Sequence, residues 1–227
     1  LAATIAHEIN NPLEAVTNFI YLAKSSPDLA EDVRHQLDIA DQELGRVTHI
    51  AQQTLGFYRD TSGPVEVDVS ETITNVLALF YRKMIYKSLE AIPRLHPEVK
   101  VRALQGELRQ VLSNLVSNAI DASNQGSKIF VRARTLKRPH AADVVQITVA
   151  DQGHGISAAS RDHIFAPFFT TKTEVGTGLG LWVTKGMVEK HGGKIRFRSR
   201  AGTPSGTVFQ VLLPANGSGL ARPAEAK

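Results

Sequence analysis

Apolar residues over the first sixty positions recur at helical intervals. From Leu1 to about Ser25, the residues Ile5, Ile9, Leu13, Val16 and Ile20 fall in one stripe at roughly 100° per residue. His7, Asn11, Glu14 and Asn18 share the opposite face, and Ser25-Ser-Pro-Asp breaks the pattern. A second run places Val33, Leu37, Ala40, Leu44, Val47, Ala51, Thr54 and Tyr58 at alternating spacings of four and three, which is a coiled-coil seam. Two such helices joined by a short turn make a hairpin that cannot bury both stripes alone. Two copies joined about a twofold axis form a four-helix bundle, so a homodimer through the helical hairpin is expected.

Asp60-Thr-Ser-Gly-Pro64 interrupts this composition and reads as a linker. Beyond it, Val65 to Val69 alternates like a strand, and Ser70 stands where it can cap a helix running to about Lys87. Strand-like pieces follow near Leu89 to Leu95 and Val99 to Ala103. The pattern then predicts a helix from Glu107 to Ser123 and strands over Lys128 to Leu136 and Val144 to Ala150. A helix from Leu179 to His191 is closed by Gly192-Gly193. A last hairpin pairs Lys194 to Ser199 with Thr207 to Leu213, and a flexible tail starts at about Pro214. Helices interspersed with antiparallel strands predict an α+β two-layer sandwich. The expected organisation is a hairpin domain over 1–61, a linker and first strand over 62–69, a second domain over 70–215 and a tail over 216–227.

A chain of 227 residues with 42% hydrophobic content supports two domains. No run reaches the length of a membrane-spanning helix, and the start carries no signal-peptide pattern. The expectation is a cytoplasmic stretch without membrane contact of its own. Leu1-Ala-Ala-Thr-Ile-Ala-His7 begins in mid-helix without methionine, as a piece of a longer protein would, and any sensor or membrane anchor belongs to the part before it. The absence of cysteine excludes disulfides and thiolate metal sites. The net charge of +4 is spread among alternating basic and acidic residues without a basic arm, which points away from nucleic acid.

Three segments carry candidate chemistry. In Glu107 to Asp121, the residues Leu108, Leu112, Leu115, Ala119 and Ala122 form an apolar face, bordered by a stripe of Glu107, Asn114, Asn118 and Asp121. Amides four apart beside a core suit a hard cation that prefers oxygen ligands, although most such pairs are only a polar helix edge. Asp151-Gln-Gly153-His-Gly155-Ile156 follows a strand directly; an aspartate there can accept from an exocyclic amine, and the glycines let backbone approach a ring. Gly176-Thr-Gly178-Leu-Gly180-Leu leads into a helix, where unpaired N–H groups favour phosphate. It is neither a Walker nor a Rossmann loop. Between the glycine segments, Ile164-Phe-Ala-Pro-Phe-Phe-Thr170-Thr171-Lys172 has the look of a lid carrying a cation.

Each signal is weak alone, but they occur in one order and on suitable elements. Asn114/Asn118, Asp151-x-Gly-x-Gly, Phe165 to Lys172 and Gly176 to Gly180 resemble the N, G1, F and G2 boxes of the gyrase, Hsp90, histidine kinase and MutL ATPase superfamily, over about Ser70 to Pro214. Ala6-His7-Glu8-Ile9-Asn10-Asn11-Pro12-Leu13 resembles the H box of the dimerisation and phosphoacceptor domain of sensor histidine kinases. Glu107-Leu-Arg-Gln-Val-Leu-x-Asn, Phe168-Phe-Thr-Thr-Lys172 and His191-Gly-Gly look most like the nitrogen-regulation and oxygen-sensor subgroup.

The resemblance implies the Bergerat (GHKL) ATP-binding fold, with ATP and Mg²⁺ as ligands and autophosphorylation on His7. It further implies transfer to an aspartate of a response-regulator receiver domain. Glu8 then orients or deprotonates the ring, and Asn11 orients a water for dephosphorylating the regulator. Mg²⁺ falls to Asn118 with Asn114 beside it, and the adenine amine to Asp151 next to Gly153, Gly155 and Ile156. The phosphates fall to Gly176, Gly178, Leu179 and Gly180, the γ-phosphate charge to Lys172 and a further adenine contact to Thr207. Ala103-Leu-Gln-Gly stands where the family often has an acidic residue before the N box, and the lid is short. A catalytically inactive nucleotide-binding scaffold would show loss of His7, Asn118 or Asp151, and all three are present.

Overall fold

A computed structural model of the chain describes residues 2–26, 29–55, 63–172 and 177–219; the side chains of residues 2–11, 14, 42, 46 and 48–55 lie outside the description. Helices α1 (Ala2–Lys24) and α2 (Glu31–Leu55) form the expected hairpin. Its turn is pinned by Lys24 Nζ, which meets Asp38 at 2.8 Å and Asp41 at 3.1 Å. Arg34 Nη1 donates to the Lys24 carbonyl at 3.1 Å. Val16, Phe19 and Leu22 of α1 and Val33, Ile39 and Val47 of α2 remain exposed on the single chain, Phe19 by 69%. A helix pair has no second layer to cover them. Tyr58 and the Asp60-Thr-Ser part of the linker lie outside the described residues.

The remaining elements are β1 (Val65–Asp68), α3 (Val69–Leu79), α4 (Tyr81–Tyr86), β2 (Glu90–Leu95), β3 (Lys100–Ala103), α5 (Gln105–Ala122), β4 (Lys128–Leu136), β5 (Val144–Ala150), α6 (Gly180–Lys190), β6 (Lys194–Arg200) and β7 (Gly206–Pro214). The main sheet has the order β2-β4-β5-β7-β6, and β1 pairs with β3 in a separate two-stranded ribbon. The strands alternate as their sequences demand. Ile129, Val131 and Ala133 on β4, Val145, Ile147 and Val149 on β5, and Val211 and Leu213 on β7 are buried in one core with Leu108, Leu112 and Leu115 of α5 and Val183 and Met187 of α6. This is the predicted two-layer sandwich. Among the described residues no helix is long and apolar enough to cross a membrane.

Four local expectations are corrected. The strand β2 joins the sheet parallel to β4 rather than antiparallel. The helix expected from Ser70 to Lys87 is two helices, because Phe80 leaves helical geometry (φ −92°, ψ 4°) and packs on the core with Met84. Its cap is Asp68, whose carboxylate accepts from Glu71 N at 3.0 Å, while Ser70 donates to the His96 carbonyl instead. The tail starts later than Pro214: Ala215 N donates to Asp143 O at 2.8 Å, Arg102 N donates to Ala215 O at 2.9 Å, and Gly217 is buried.

Glu107 does not share a surface with the asparagines. Its side chain is 1% exposed, and Lys190 Nζ lies 2.5 Å from Oε1. Next to Lys190, His191 Nε2 accepts the Leu104 N–H at 3.1 Å, which supplies a partner where α5 has no side-chain cap. The first turn of α5 is thereby fastened to the last turn of α6. Replacing Asp68 by Ala removes the cap of α3 and is expected to cost about 1 kcal/mol, read as a lower urea midpoint with unchanged slope; a midpoint equal to the parent's would show that Asp68 caps nothing.

Candidate functional site

A cavity of about 600 Å³ opens between α5, the loop after β5, residues 169–172, the start of α6 and β7. This is the size of a cleft that takes one small ligand. Its two ends differ in chemistry.

At one end, Asp151 is set at the terminus of β5, where Asp151 N donates to Thr207 O at 2.9 Å across the ladder to β7. Its Oδ1 accepts from Gly153 N at 2.9 Å and Thr207 N at 3.1 Å. Both backbone donors use the same oxygen, which leaves Oδ2 for a donor in the cavity. The apolar part of the cavity lining comes from Ala122, Ile156, Ile164, Leu181 and Phe209. Gly155 has φ +73°, and a Cβ there would collide with the Arg200 carbonyl, so the turn closes only with glycine. A flat ring carrying an amine fits such a slot. Burial pushes the Asp151 carboxyl above the ordinary aspartate range, more than its two backbone hydrogen bonds pull it down.

At the other end stand Asn118, Asp121, Lys172, Gly178 and the start of α6. Lys172 Nζ lies 2.6 Å from Asp121 Oδ2 and 3.2 Å from Asn118 Oδ1. Lys83 Nζ, from α4, takes Asp121 Oδ1 at 2.6 Å. Burial alone would raise the Asp121 carboxyl, but the two ammonium groups together outweigh it and hold the acid below its ordinary range. Among the described residues the start of α6 has no side-chain cap at Leu179, whose own N–H meets Thr177 Oγ1 at 3.4 Å, and such a start offers its following first-turn N–H groups to an anion. Gly178 has φ +68° and is pressed against the Phe168 backbone, so it joins this helix start to the preceding segment where no Cβ has room.

Of the residues singled out in the sequence, Asn114, Asn118, Asp151, Gly155, Ile156, Lys172, Gly178, Gly180 and Thr207 line this one cavity. Asn114 also ties the fold together: its Oδ1 accepts from Gln110 at 3.0 Å, and its Nδ2 donates to Gly180 O and Thr184 Oγ1, both at 3.1 Å. Gly153 packs behind the cavity against the Ala122 carbonyl, and Leu179 is buried in the core. Gly176 lies outside the described residues, as do the side chains of His7, Glu8 and Asn11, whose backbone is in α1. Sequence reasoning missed Ile164 and Phe209 as walls and Lys83 as a partner of Asp121. The inward phase of β7 points to Phe209, whereas nothing local connects Lys83 to a residue 38 positions away.

Residues 103–217 match the family of histidine kinase-, DNA gyrase B- and HSP90-like ATPases, and residues 1–63 match the His Kinase A (phospho-acceptor) domain. Sensor histidine kinase ZraS of Klebsiella oxytoca is 34% identical over 221 residues, 96% of this chain and 46% of that protein. Sporulation kinase D of Bacillus subtilis is 31% identical over 221 residues, 96% of this chain and 42% of that protein. The chain spans under half the length of these curated relatives. Among solved structures, histidine kinase ThkA in complex with response regulator protein TrrA superposes with a TM-score of 0.66 at 28% identity, covering 95% of this chain and 61% of that one. The nucleotide-free catalytic domain of ThkA gives 0.61 at 31% identity, covering 70% and 99%. The chain therefore belongs to the sensor histidine kinases of two-component systems, with a phospho-acceptor hairpin ahead of an ATPase-type domain.

The raised Asp151 carboxyl sets a sign for stability. Its contribution is fully present below the ordinary aspartate range and is lost as pH rises through the raised value. Asp151→Asn is therefore expected to melt above the ligand-free parent at pH 8, with a gap that closes as the parent's carboxyl protonates on acidification. Melting scans across pH check this, and a gap independent of pH would contradict it.

Proposed function

We propose that the chain is the catalytic part of an ATP-dependent protein-histidine autokinase. It moves the γ-phosphoryl group of ATP to His7 and then to an aspartate of a response-regulator receiver domain. The observation that carries this reading is the polarity of the cavity. A carboxylate with a spare oxygen sits in an apolar slot at one end, and a cation, two oxygen donors and an uncapped helix start sit at the other. In that arrangement Asp151 takes the adenine amine, with Gly153, Gly155, Ile156 and Thr207 shaping the slot. The segment from Gly176 through Gly178, Leu179 and Gly180 receives the phosphates.

The phosphate end fits a hard divalent cation at the Asn118 amide oxygen, a neutral oxygen ligand that faces the cavity and already accepts one ammonium. Mg²⁺ held at Asn118 would supply charge neutralisation on the phosphates. Lys172 balances the negative charge of the terminal phosphate, and positioning with charge stabilisation is most of what phosphoryl transfer asks of a protein.

His7 is the acceptor. A neutral imidazole nitrogen, well populated near pH 7, forms the N–P bond as the bond to the ADP oxygen breaks. Glu8, adjacent on α1, orients the ring or takes its proton, and Asn11 one turn on orients a water for regulator dephosphorylation. Pro12 inside α1 removes one helical hydrogen bond just past the acceptor and lets the helix bend there. The uncovered apolar face of the hairpin supports a homodimer through a four-helix bundle. The likeness to a kinase solved with its response regulator supports the receiver domain as partner.

Incubation with γ-labelled ATP and Mg²⁺ tests the assignment. The parent is expected to acquire acid-labile, alkali-stable label, His7→Gln none, and Asn118→Ala at least about a hundredfold less. Label that persists without His7 would refute the acceptor.

A further inference from the structure

The ammonium of Lys172 occupies the point where the Asn118 amide oxygen and an Asp121 carboxylate oxygen converge, at 3.2 and 2.6 Å. Held there, its charge is balanced by Asp121, and a cation at the Asn118 oxygen has to compete with it. We infer that Asp121 is a positioning residue. It parks Lys172 on α5, so that the lysine engages a terminal phosphate only by exchanging Asp121 for it. This deepens the reading of the cavity as a nucleotide site and rests on it.

Three observations carry the inference. Asp121 presents both oxygens to lysines from two separate elements, Lys172 ahead of α6 and Lys83 on α4. Lys83 keeps the carboxylate paired when Lys172 departs, so the exchange does not strand a half-buried charge. The Lys172 side chain is 42% exposed, and an ion pair of that exposure is weak enough to be traded for a phosphate. The pair is therefore a discriminator of phosphate length: a ligand ending at the ribose leaves it intact, and a triphosphate has to displace it.

Calorimetric titration of the full chain with adenosine and with AMP-PNP, with and without Mg²⁺, tests the exchange. Asp121→Asn is expected to bind AMP-PNP about two- to fivefold tighter than the parent and adenosine equally well. The gain is expected to vanish in a Lys172→Met background and to persist in Lys172→Arg, which keeps the cation. Without nucleotide, the amides of residues 169–172 are expected to exchange hydrogen faster in Asp121→Asn than in the parent. Weaker Mg²⁺-dependent binding by Asp121→Asn would make Asp121 a metal ligand and overturn the proposal. An equal gain in the Lys172→Met background would reduce it to a general field effect and overturn it as well. A parent that binds neither compound would overturn the nucleotide reading of the cavity, and the exchange role with it. A parent that binds both while Asp121→Asn changes nothing would overturn the exchange alone.

Discussion

The Asn114 side chain holds the two helices of the site at a fixed offset. Its amide donates to the Gly180 carbonyl and the Thr184 hydroxyl on α6 and accepts from Gln110 on its own helix, so a nearly buried polar group is satisfied on both sides. At the far end of the same pair of helices, Lys190 reaches the buried Glu107. His191 takes the first N–H of the α5 start. The two helices are fastened at both ends, and the cavity is what remains between them, the sheet and the loop after β5. Asn114 thus lines the cavity and also builds the frame from which Asn118, one turn on, faces it.

From this frame follows the division of labour along α5. Successive polar residues on one helix serve different ends: Glu107 and Asn114 hold α6, while Asn118 and Asp121 face the cavity. The sheet contributes the other half, because the ladder between β5 and β7 brings the Thr207 N–H to the Asp151 carboxylate. Burial makes that carboxyl reluctant to ionise without a partner. Stability and ligand recognition oppose each other at this one side chain, as is common where a site keeps an unpaired group ready.

Much of the fold was legible because β4, β5 and β7 alternate along most of their length, so Ile129, Val131, Ile147 and Val149 announced their buried face directly. The glycine segments were legible for a backbone reason: Gly155 and Gly178 sit at positive φ with backbone against them. What escaped depends on partners distant in sequence. The direction in which β2 joins the sheet is not encoded in its own residues. The burial of Glu107 depends on Lys190, and the anchoring of Asp121 on Lys83. Asp68 both ends β1 and caps α3, and Ser70 carries a side chain of the same capping chemistry two positions later.

On the proposed function the α5–α6 frame creates the nucleotide site, and the binding of ADP to Asn114→Ala measures this most directly. Losing hydrogen bonds buried between the helices removes about 1–3 kcal/mol. Calorimetry is expected to show ADP affinity reduced about fivefold or more in a variant that still unfolds cooperatively. A folded Asn114→Ala protein that binds ADP as tightly as the parent would contradict the account.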